Sequence, residues 1–506
     1  MLNQFFPNLD IWNEILGYFE VSLGPARDNK RVAREKRKAS LAITLLSPWL
    51  TELALDVLWK DMTTLVPIVS VANSGGEFID YRVSDGRGCW RVSENLEITE
   101  KFIDDLIRNL KRIRNLRVQV SGKELELWQM LHAFLVPRSM VYLLPCLQTL
   151  YLTSANDPQS HPFLGIISYI FAPSLTAITV GGWTTVQHHM NSHQLPNLYR
   201  LRYFDPTLEN YPCGIGRFTS LRHLVLYYDQ HRFYSFSKLT NLGSLRHLEK
   251  LAISIQLDHD ESQDPSTISL TLPELRELRL GIGNEETLGP FFSGGVKLPS
   301  LSSLSLDIHH GLSRELPLGP LAAAYPNLIY LALAYIQTQD HSYIMSANDL
   351  MKIVDVRGMK DLKLINIPHE LQERDIFSLV KSLPDLHSLV VTRLEPFSAT
   401  LLISISQFSN LRCVELPLDF SLLVDHRSSE KTSETPSELR KIISLDSLGI
   451  PAKSPSKLAL IRKMLHLFPK LEELIGYDES MEELQDLFEA VNNMFYKPSV
   501  SCLIGY

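Results

Sequence analysis

One short phrase recurs along most of this chain: a leucine, two variable residues, a leucine, one variable residue and a further apolar residue. It stands as LQTLYL from Leu147, LTAITV from Leu175, LYRLRY from Leu198, LRHLVL from Leu221, LEKLAI from Leu248, LRELRL from Leu275 and LSSLSL from Leu301. It returns as LIYLAL from Leu328, LKLINI from Leu362, LHSLVV from Leu386, LRCVEL from Leu411 and, more weakly, LEELIG from Leu471. Units that can bury an apolar face only against their neighbours stack into a solenoid. This overrides the length prior for 506 residues, which would otherwise suggest several domains.

Within the phrase, apolar and variable residues alternate, which is the period of a strand with one face buried. Proline commonly precedes it, in LPCL, LPNL, LPEL, LPSL, YPNL, LPDL and FPKL. Proline stops a preceding helix and sets an extended entry, so each unit reads helix, stop, parallel strand. The helical ending shows in IFSLVKSLP (376–384) and ALIRKMLHLFP (459–469), where apolar residues recur at helical spacing. The expected fold class is α/β.

These phrases resemble the leucine-rich-repeat family over residues 110–480, with RIRNLRV around Leu116 as an earlier unit. The resemblance implies an irregular horseshoe with the strands on its concave wall. The family's asparagine, three residues past the last apolar position, is replaced by Ala155, Asp229, Gly283, His309 and Ile336, which puts its buried side-chain ladder in doubt. Polar stretches at 257–267 and 425–438 read as solvated insertions. The second carries Ser428, Ser429, Thr432, Ser433 and Thr435, positions open to phosphorylation in what reads first as a plain flexible loop. Residues 481–506 read as a capping helix and tail.

Residues 1–62 do not follow the phrase. FPNLDIWNEILGYFE and KASLAITLLSPWLTELALDVLWKDM read as three short helices, too small a module to hide their large apolar residues. Surplus apolar surface of that kind marks a docking site. The residues are similar to an F-box, and the closing LALDVLWKDMTTLVPIV is similar to F-box-like proteins abundant in mushroom-forming fungi. That resemblance implies a Skp adaptor, and through it a cullin-RING ubiquitin ligase, as partners. It implies adaptor contacts at Pro7, Ile11, Trp12, Ile15, Leu16, Phe19, Leu41, Leu45, Trp49, Leu58 and Trp59. A basic insertion at about 24–38 departs from the compact pattern; it reads as a solvated loop, or as a nuclear import signal. Residues 63–109 are expected to connect the module to the array and cap it.

Composition narrows the function. A net charge of −8 disfavours nucleic acid as a partner. No apolar run is long enough to cross a bilayer, and the opening MLNQFFPNLDIW lacks the features of a secretory signal. The 5 cysteines are odd in number and widely spaced, and no asparagine begins a glycosylation triplet. Together these fit a cytoplasmic or nuclear protein with no membrane partner.

Catalytic phrases are absent: no G-x-S-x-G, GxxxxGK[ST], HExxH or paired C-x-x-C. His188, His189 and His193 have partial metal spacing in a polar setting without a third ligand, and no metal or other cofactor is expected. Asp258, His259 and Asp260, and Asp340 with His341, read as surface charges. The chain is expected to bind rather than catalyse. Outward strand positions are Tyr151, Thr179, Arg202, Val225, Tyr227, Ala252, Arg279, Ser305, Asp307, Ala332, Asn366, Val390 and Glu415. Tyr151, Arg202, Tyr227, Arg279 and Asp307 are the expected contacts for a protein substrate, since Tyr and Arg are favoured interface anchors. Two readings of the whole chain follow: a substrate receptor of a Skp-cullin-F-box type ligase, or a leucine-rich-repeat scaffold whose first helices only cap the array.

Overall fold

The computed structural model describes residues 38–39, 42–43, 48–72, 79–84, 87–92, 99–120, 125–135, 141–154, 166–181, 190, 194–204, 214–227, 234–256, 269–283, 287–292, 295–309, 316–336, 344–392, 396–421, 423, 437–451, 453–476 and 479–496. Two units divide the chain, Met1–Asp229 and Gln230–Tyr506. The insertion at 257–267, residues 425–436 of the second and most of the basic one lie outside the described residues.

The first unit begins with helix α1 (Pro48–Lys60) running directly into strand β1 (Asp61–Met62). After helix α2 (Val66–Ala72), β2 (Ile79–Ser84) and β3 (Arg87–Val92) form an antiparallel hairpin. Helix α3 (Glu100–Leu110) follows, its first turn capped by Thr99, whose Oγ1 accepts a hydrogen bond from the Phe102 amide at 3.2 Å. Its apolar face, Phe102, Ile103, Leu106 and Leu110, is buried. Then come β4 (Asn115–Val120), helix α4 (Leu125–Leu135), β5 (Thr149–Ser154), β6 (Ala177–Gly181), β7 (Arg200–Phe204) and β8 (His223–Tyr227). Strands β1, β4, β5, β6, β7 and β8 pair in that order, all parallel.

The second unit opens with β9 (Tyr234–Ser235), which pairs with β10 (Lys250–Gln256). The parallel stack continues through β12 (Glu277–Ile282), β14 (Ser303–Ile308), β15 (Tyr330–Tyr335), β16 (Asp361–Ile365), β17 (Ser388–Val391), β19 (Cys413–Asp419), β20 (Lys441–Leu448) and β21 (Glu473–Gly476). Short β11 (Leu270–Thr271) and β13 (Val296–Lys297) pair with each other, and β18 (Phe397–Ser398) pairs with β19. The return segments carry helices α5 (Leu288–Phe292), α6 (Leu318–Ala324), α7 (Ala347–Met351), α8 (Glu373–Ser382), α9 (Thr400–Ile405) and α10 (Ser454–Leu467). Helix α11 (Glu479–Tyr496) closes the chain with Met481, Leu484, Phe488 and Val491 buried.

The strand register explains the phrase. Its second and third apolar residues, such as Leu150 and Leu152, Leu201 and Tyr203, or Leu278 and Leu280, point inward and are buried. Its first leucine ends a tight turn. Leu147, Leu275 and Leu386 each donate their amide to the carbonyl three residues back, on Leu144, Leu272 and Leu383, at 3.1, 3.4 and 3.0 Å. The proline sits second in that turn, where its fixed φ is the one required. Between repeats a single carbonyl then accepts two successive amides. The Glu249 carbonyl takes Arg276 and Glu277, Arg276 takes Ser302 and Ser303, and Ser302 takes Ile329 and Tyr330, all within 2.7–3.0 Å.

The same ladder corrects the repeat frame in two places. The Ile329 carbonyl accepts Lys360 and Asp361, and Leu362 pairs with Leu331, so the phrase begins at Met359 and reads MKDLKL. The outward residue of β16 is therefore Lys363. Asn366, expected there, lies past the strand with a left-handed φ of 53°, a conformation asparagine tolerates. A further repeat, LRKIIS from Leu439, fills the gap before Leu471; the Arg412 carbonyl takes Arg440 and Lys441. Its last inward position is Ser444, a buried polar residue that breaks the apolar pattern.

The missing asparagines have two replacements. Gly283, His309 and Ile336 prolong the strand ladder, donating their amides to Ile255, Ile282 and Ile308 at 3.0, 3.0 and 2.9 Å. At the tight turns, Ser174, Asn197, Ser300 and Asn410 donate to the carbonyls of Pro145, Pro173, Pro273 and Pro384 one repeat earlier, at 2.9, 3.0, 2.6 and 2.9 Å.

Candidate strand-face interaction site

Parallel register sets the outward side chains of neighbouring strands side by side. In the first unit the row nearest the strand starts is Asn115, Thr149, Ala177, Arg200 and His223. The middle row is Arg117, Tyr151, Thr179, Arg202 and Val225, and the third, by register, is Gln119, Thr153, Gly181, Phe204 and Tyr227, with the side chains of Gln119 and Tyr227 outside the described residues. No position in these rows is acidic. Asp61 at the β1 edge is buried and accepts a hydrogen bond from the Asn115 Nδ2 at 2.6 Å.

The three arginines have no carboxylate partner among the described residues. The Arg117 guanidinium lies over the Tyr151 ring, 4.6 Å from its centroid, and Arg200 lies 5.5 Å from that of Tyr199. Among the described residues, the Arg200 Nε is buried without a hydrogen-bond partner. Arg202 is exposed, and Phe204 beside it is 37% exposed, large for an apolar residue on a strand. Between these walls β6 presents only Ala177, Thr179 and Gly181, so the face dips along one strand.

The second unit's face is built differently. Lys250 pairs with Glu277 at 2.6 Å, Arg279 with Asp307 at 2.6 Å, and Lys441 with Glu473 at 2.6 Å, each across one strand interval. Lys363 Nζ lies 5.6 Å from the centre of the Tyr330 ring. The neighbouring floor, Ala332 and Ala334, is small and buried.

Of the expected substrate contacts, Tyr151 and Arg202 sit in one row of the first unit, with Arg117 and Arg200 as additional cations. Tyr227 holds a place in the third row of that face, and its side chain lies outside the described residues. Arg279 and Asp307 belong to the second unit and are bonded to each other. Arg200 and Phe204 flank Arg202, the one outward position read in their phrase, and Arg117 belongs to the unit around Leu116, from which the sequence reading takes no outward position. The absence of any acid from the three rows was the available signal.

Of the expected adaptor contacts, Pro7, Ile11, Trp12, Ile15, Leu16, Phe19, Leu41 and Leu45 lie outside the described residues, as does the Trp49 side chain. Leu58 is half-buried and Trp59 is buried, 5% exposed, turned into the fold. Helix α1 is held by Arg112, which binds the Glu52 and Asp56 carboxylates and donates to the Glu52 carbonyl at 3.0 Å. The Lys60 carbonyl accepts the Arg114 amide at 3.0 Å, so α1 and β1 act as the first turn of the array.

Reactive groups are few. Burial raises the pKa of the Cys413 thiol, partly offset by its hydrogen bond with Ser388 and by Lys441 and Lys363, which leaves it a poor nucleophile. Among the described residues no three His, Cys, Asp or Glu side chains are placed to hold a metal ion. His188, His189, His193, Asp258, His259, Asp260, Asp340 and His341 lie outside them. No helix among them is long and apolar enough to cross a membrane.

Stacked parallel strands, many of them entered through an apolar-proline turn and followed by a helical or irregular return, make this a leucine-rich-repeat solenoid of the α/β class. No known family matches the sequence, and no curated protein matches it. Among solved structures it is similar to an internalin from Listeria monocytogenes at 16% identity and TM-score 0.34, over 66% of this chain and 87% of that one. A Leptospira interrogans LRR protein aligns at 15% identity and TM-score 0.34, over 76% and 97%. A structure of the Rad7 and Elc1 complex in yeast aligns at 16% identity and TM-score 0.36, over 67% and 87%.

Proposed function

We propose that this chain is a substrate-receptor subunit of a Skp-cullin-F-box type ubiquitin ligase, docking the adaptor through residues 1–62 and holding a protein target on its strands. The observation that carries the reading is the direct run of α1 into β1 of the array. A helix whose sequence resembles an F-box is thereby fixed, through Arg112 and the β1–β4 pairing, to the strands that present Arg117, Tyr151 and Arg202. A receptor works by proximity: it raises the effective concentration of a target near a conjugating enzyme and needs no catalytic group of its own.

The test is co-purification of the full chain with a Skp adaptor. Wild type is expected to capture it, and Leu16→Glu to lose at least tenfold in capture with an unchanged melting temperature. A wild type that captures nothing ends the receptor reading. The burial of Trp59 and the clasp of Arg112 on α1 favour a second reading, in which these helices only cap the array. That reading expects no capture and a lowered melting temperature in Leu16→Glu.

A further inference from the structure

The first unit's strand face differs from ordinary protein surface in the sign and freedom of its charges. Arg117, Arg200 and Arg202 stand within two strand intervals of one another once Arg117 folds over Tyr151, and from β4 to β8 no acid lies in the rows they occupy. The planar donor fork of arginine suits a carboxylate. Three guanidiniums with no carboxylate partner among the described residues, carried on one sheet, leave donors for an incoming acid. In the second unit, by contrast, three cations on the corresponding face each have a carboxylate.

We infer that the β4–β8 face binds an extended acidic peptide, whose carboxylates bridge Arg117 on one side and Arg200 and Arg202 on the other across the low strip of β6. This rests on the reading that the strands hold a protein target, and gives that target a chemical class. Two strand spacings separate β5 from β7, about 10 Å, which an extended peptide spans in about three residues. The motif is therefore an acidic pair three residues apart, with an apolar residue set between Tyr151 and Phe204. A nucleic acid fits less well. The chain carries a net charge of −8, and polyphosphate binding draws on many more cations than this patch holds.

The experiment uses the full chain and fluorescein-labelled octapeptides, one with two glutamates three residues apart around a leucine, one with glutamines in their place, and an oligothymidylate of eight nucleotides. By fluorescence anisotropy in 50 mM salt, the glutamate peptide is expected to bind at least tenfold more tightly than the glutamine peptide. Arg117→Gln with Arg202→Gln should remove that difference, and Arg279→Gln in the second unit should leave it intact. Arg117→Glu with Arg202→Glu should reverse the preference towards a third octapeptide with lysines in place of the glutamates, which a merely unfolded variant would not do. Equal binding of the glutamate and glutamine peptides overturns the proposal, and so does tighter binding of the oligothymidylate. Adaptor capture is not involved, so loss of the ligase reading through residues 1–62 and loss of this one are separate results.

Discussion

The two units are made from the same phrase but treat charge on their strand faces in opposite ways. In the second, Lys250, Arg279 and Lys441 each meet a carboxylate one strand away, while Lys363 lies over the Tyr330 ring. In the first, Arg117, Arg200 and Arg202 meet aromatic rings or solvent. The repeat dictates the inward residues and leaves the outward ones free to vary, so the same scaffold carries one face with internal ion pairs and one whose arginines have none among the described residues. Self-paired charges add little binding capacity, because a partner must first displace the internal acid.

Two glycines at the same row of the two faces give the largest expected contrast. A Cβ at Gly281 would run into Ser254 Oγ, and lie 3.0 Å from Ser254 Cβ and 3.2 Å from His309 Nε2. At Gly181 it would meet only Thr153 Cγ2 at 3.6 Å and two carbonyl oxygens at 3.8 Å, ordinary contact. Gly281→Ala should cost about 1–3 kcal/mol by overpacking, whereas Gly181→Ala should be neutral or stabilising by up to about 1 kcal/mol through the unfolded chain. Urea unfolding midpoints of the two variants check this. Equal losses would mean that the first unit's face is as closely packed as the second's, and the low strip on β6 would be lost as a distinguishing feature.

Removing one cation from each face gives a smaller effect. Arg279→Ala leaves the Asp307 carboxylate, whose side chain is 13% exposed, without its cation. The expected loss is about 1–2 kcal/mol, the usual cost of a partly buried polar group deprived of its partner. Arg202→Ala should stay within about 0.5 kcal/mol, as exposed substitutions do. In a double-mutant cycle, Asp307→Ala should couple to Arg279→Ala by about 1 kcal/mol and not at all to Arg202→Ala. A loss at Arg202 as large as at Arg279 would show that its guanidinium is engaged after all.

These contrasts also mark what was readable from the chain. Inward leucines impose their own period, so the strands from Leu147 to Leu411 and the α/β solenoid could be read directly. The frame slipped at LKLINI because four apolar residues crowd that stretch, and only the Ile329 carbonyl, taking Lys360 and Asp361, settles it. The repeat at Leu439 escaped because Ser444 fills an inward place. The candidate face was half legible. Tyr151 and Arg202 stood out by type, but pairing between strands is a property of register, and so the bond that occupies Arg279 could not be seen in a linear sequence. Likewise Trp59 looks like surplus apolar surface until α1 is seen lying on the array with Arg112 beneath it.

The smallest predicted effect concerns the end of the second unit, where the habit of internal pairing continues. Lys457 on α10, its side chain 8% exposed, bonds the Glu483 carboxylate on α11. That hydrogen bond, helped by the lysine charge and opposed by desolvation, lowers the Glu483 pKa below the ordinary glutamate value. Because the folded pKa is depressed, the contribution to stability is complete above the unfolded value of about 4.3. It is lost as pH falls through the lower folded value. The Glu483 side chain is 73% exposed, so solvent screens the pair and the effect stays local. Amide exchange in α11 should quicken in wild type as the solution is acidified through that window, once intrinsic rates are divided out, while β12 and β14 stay protected. Glu483→Gln should show the faster exchange already at neutral pH, with no further step on acidification. If the variant and wild type exchange alike across the whole range, α11 is held by Met481, Leu484 and Phe488 alone, and charge pairing in the second unit is confined to its strand face.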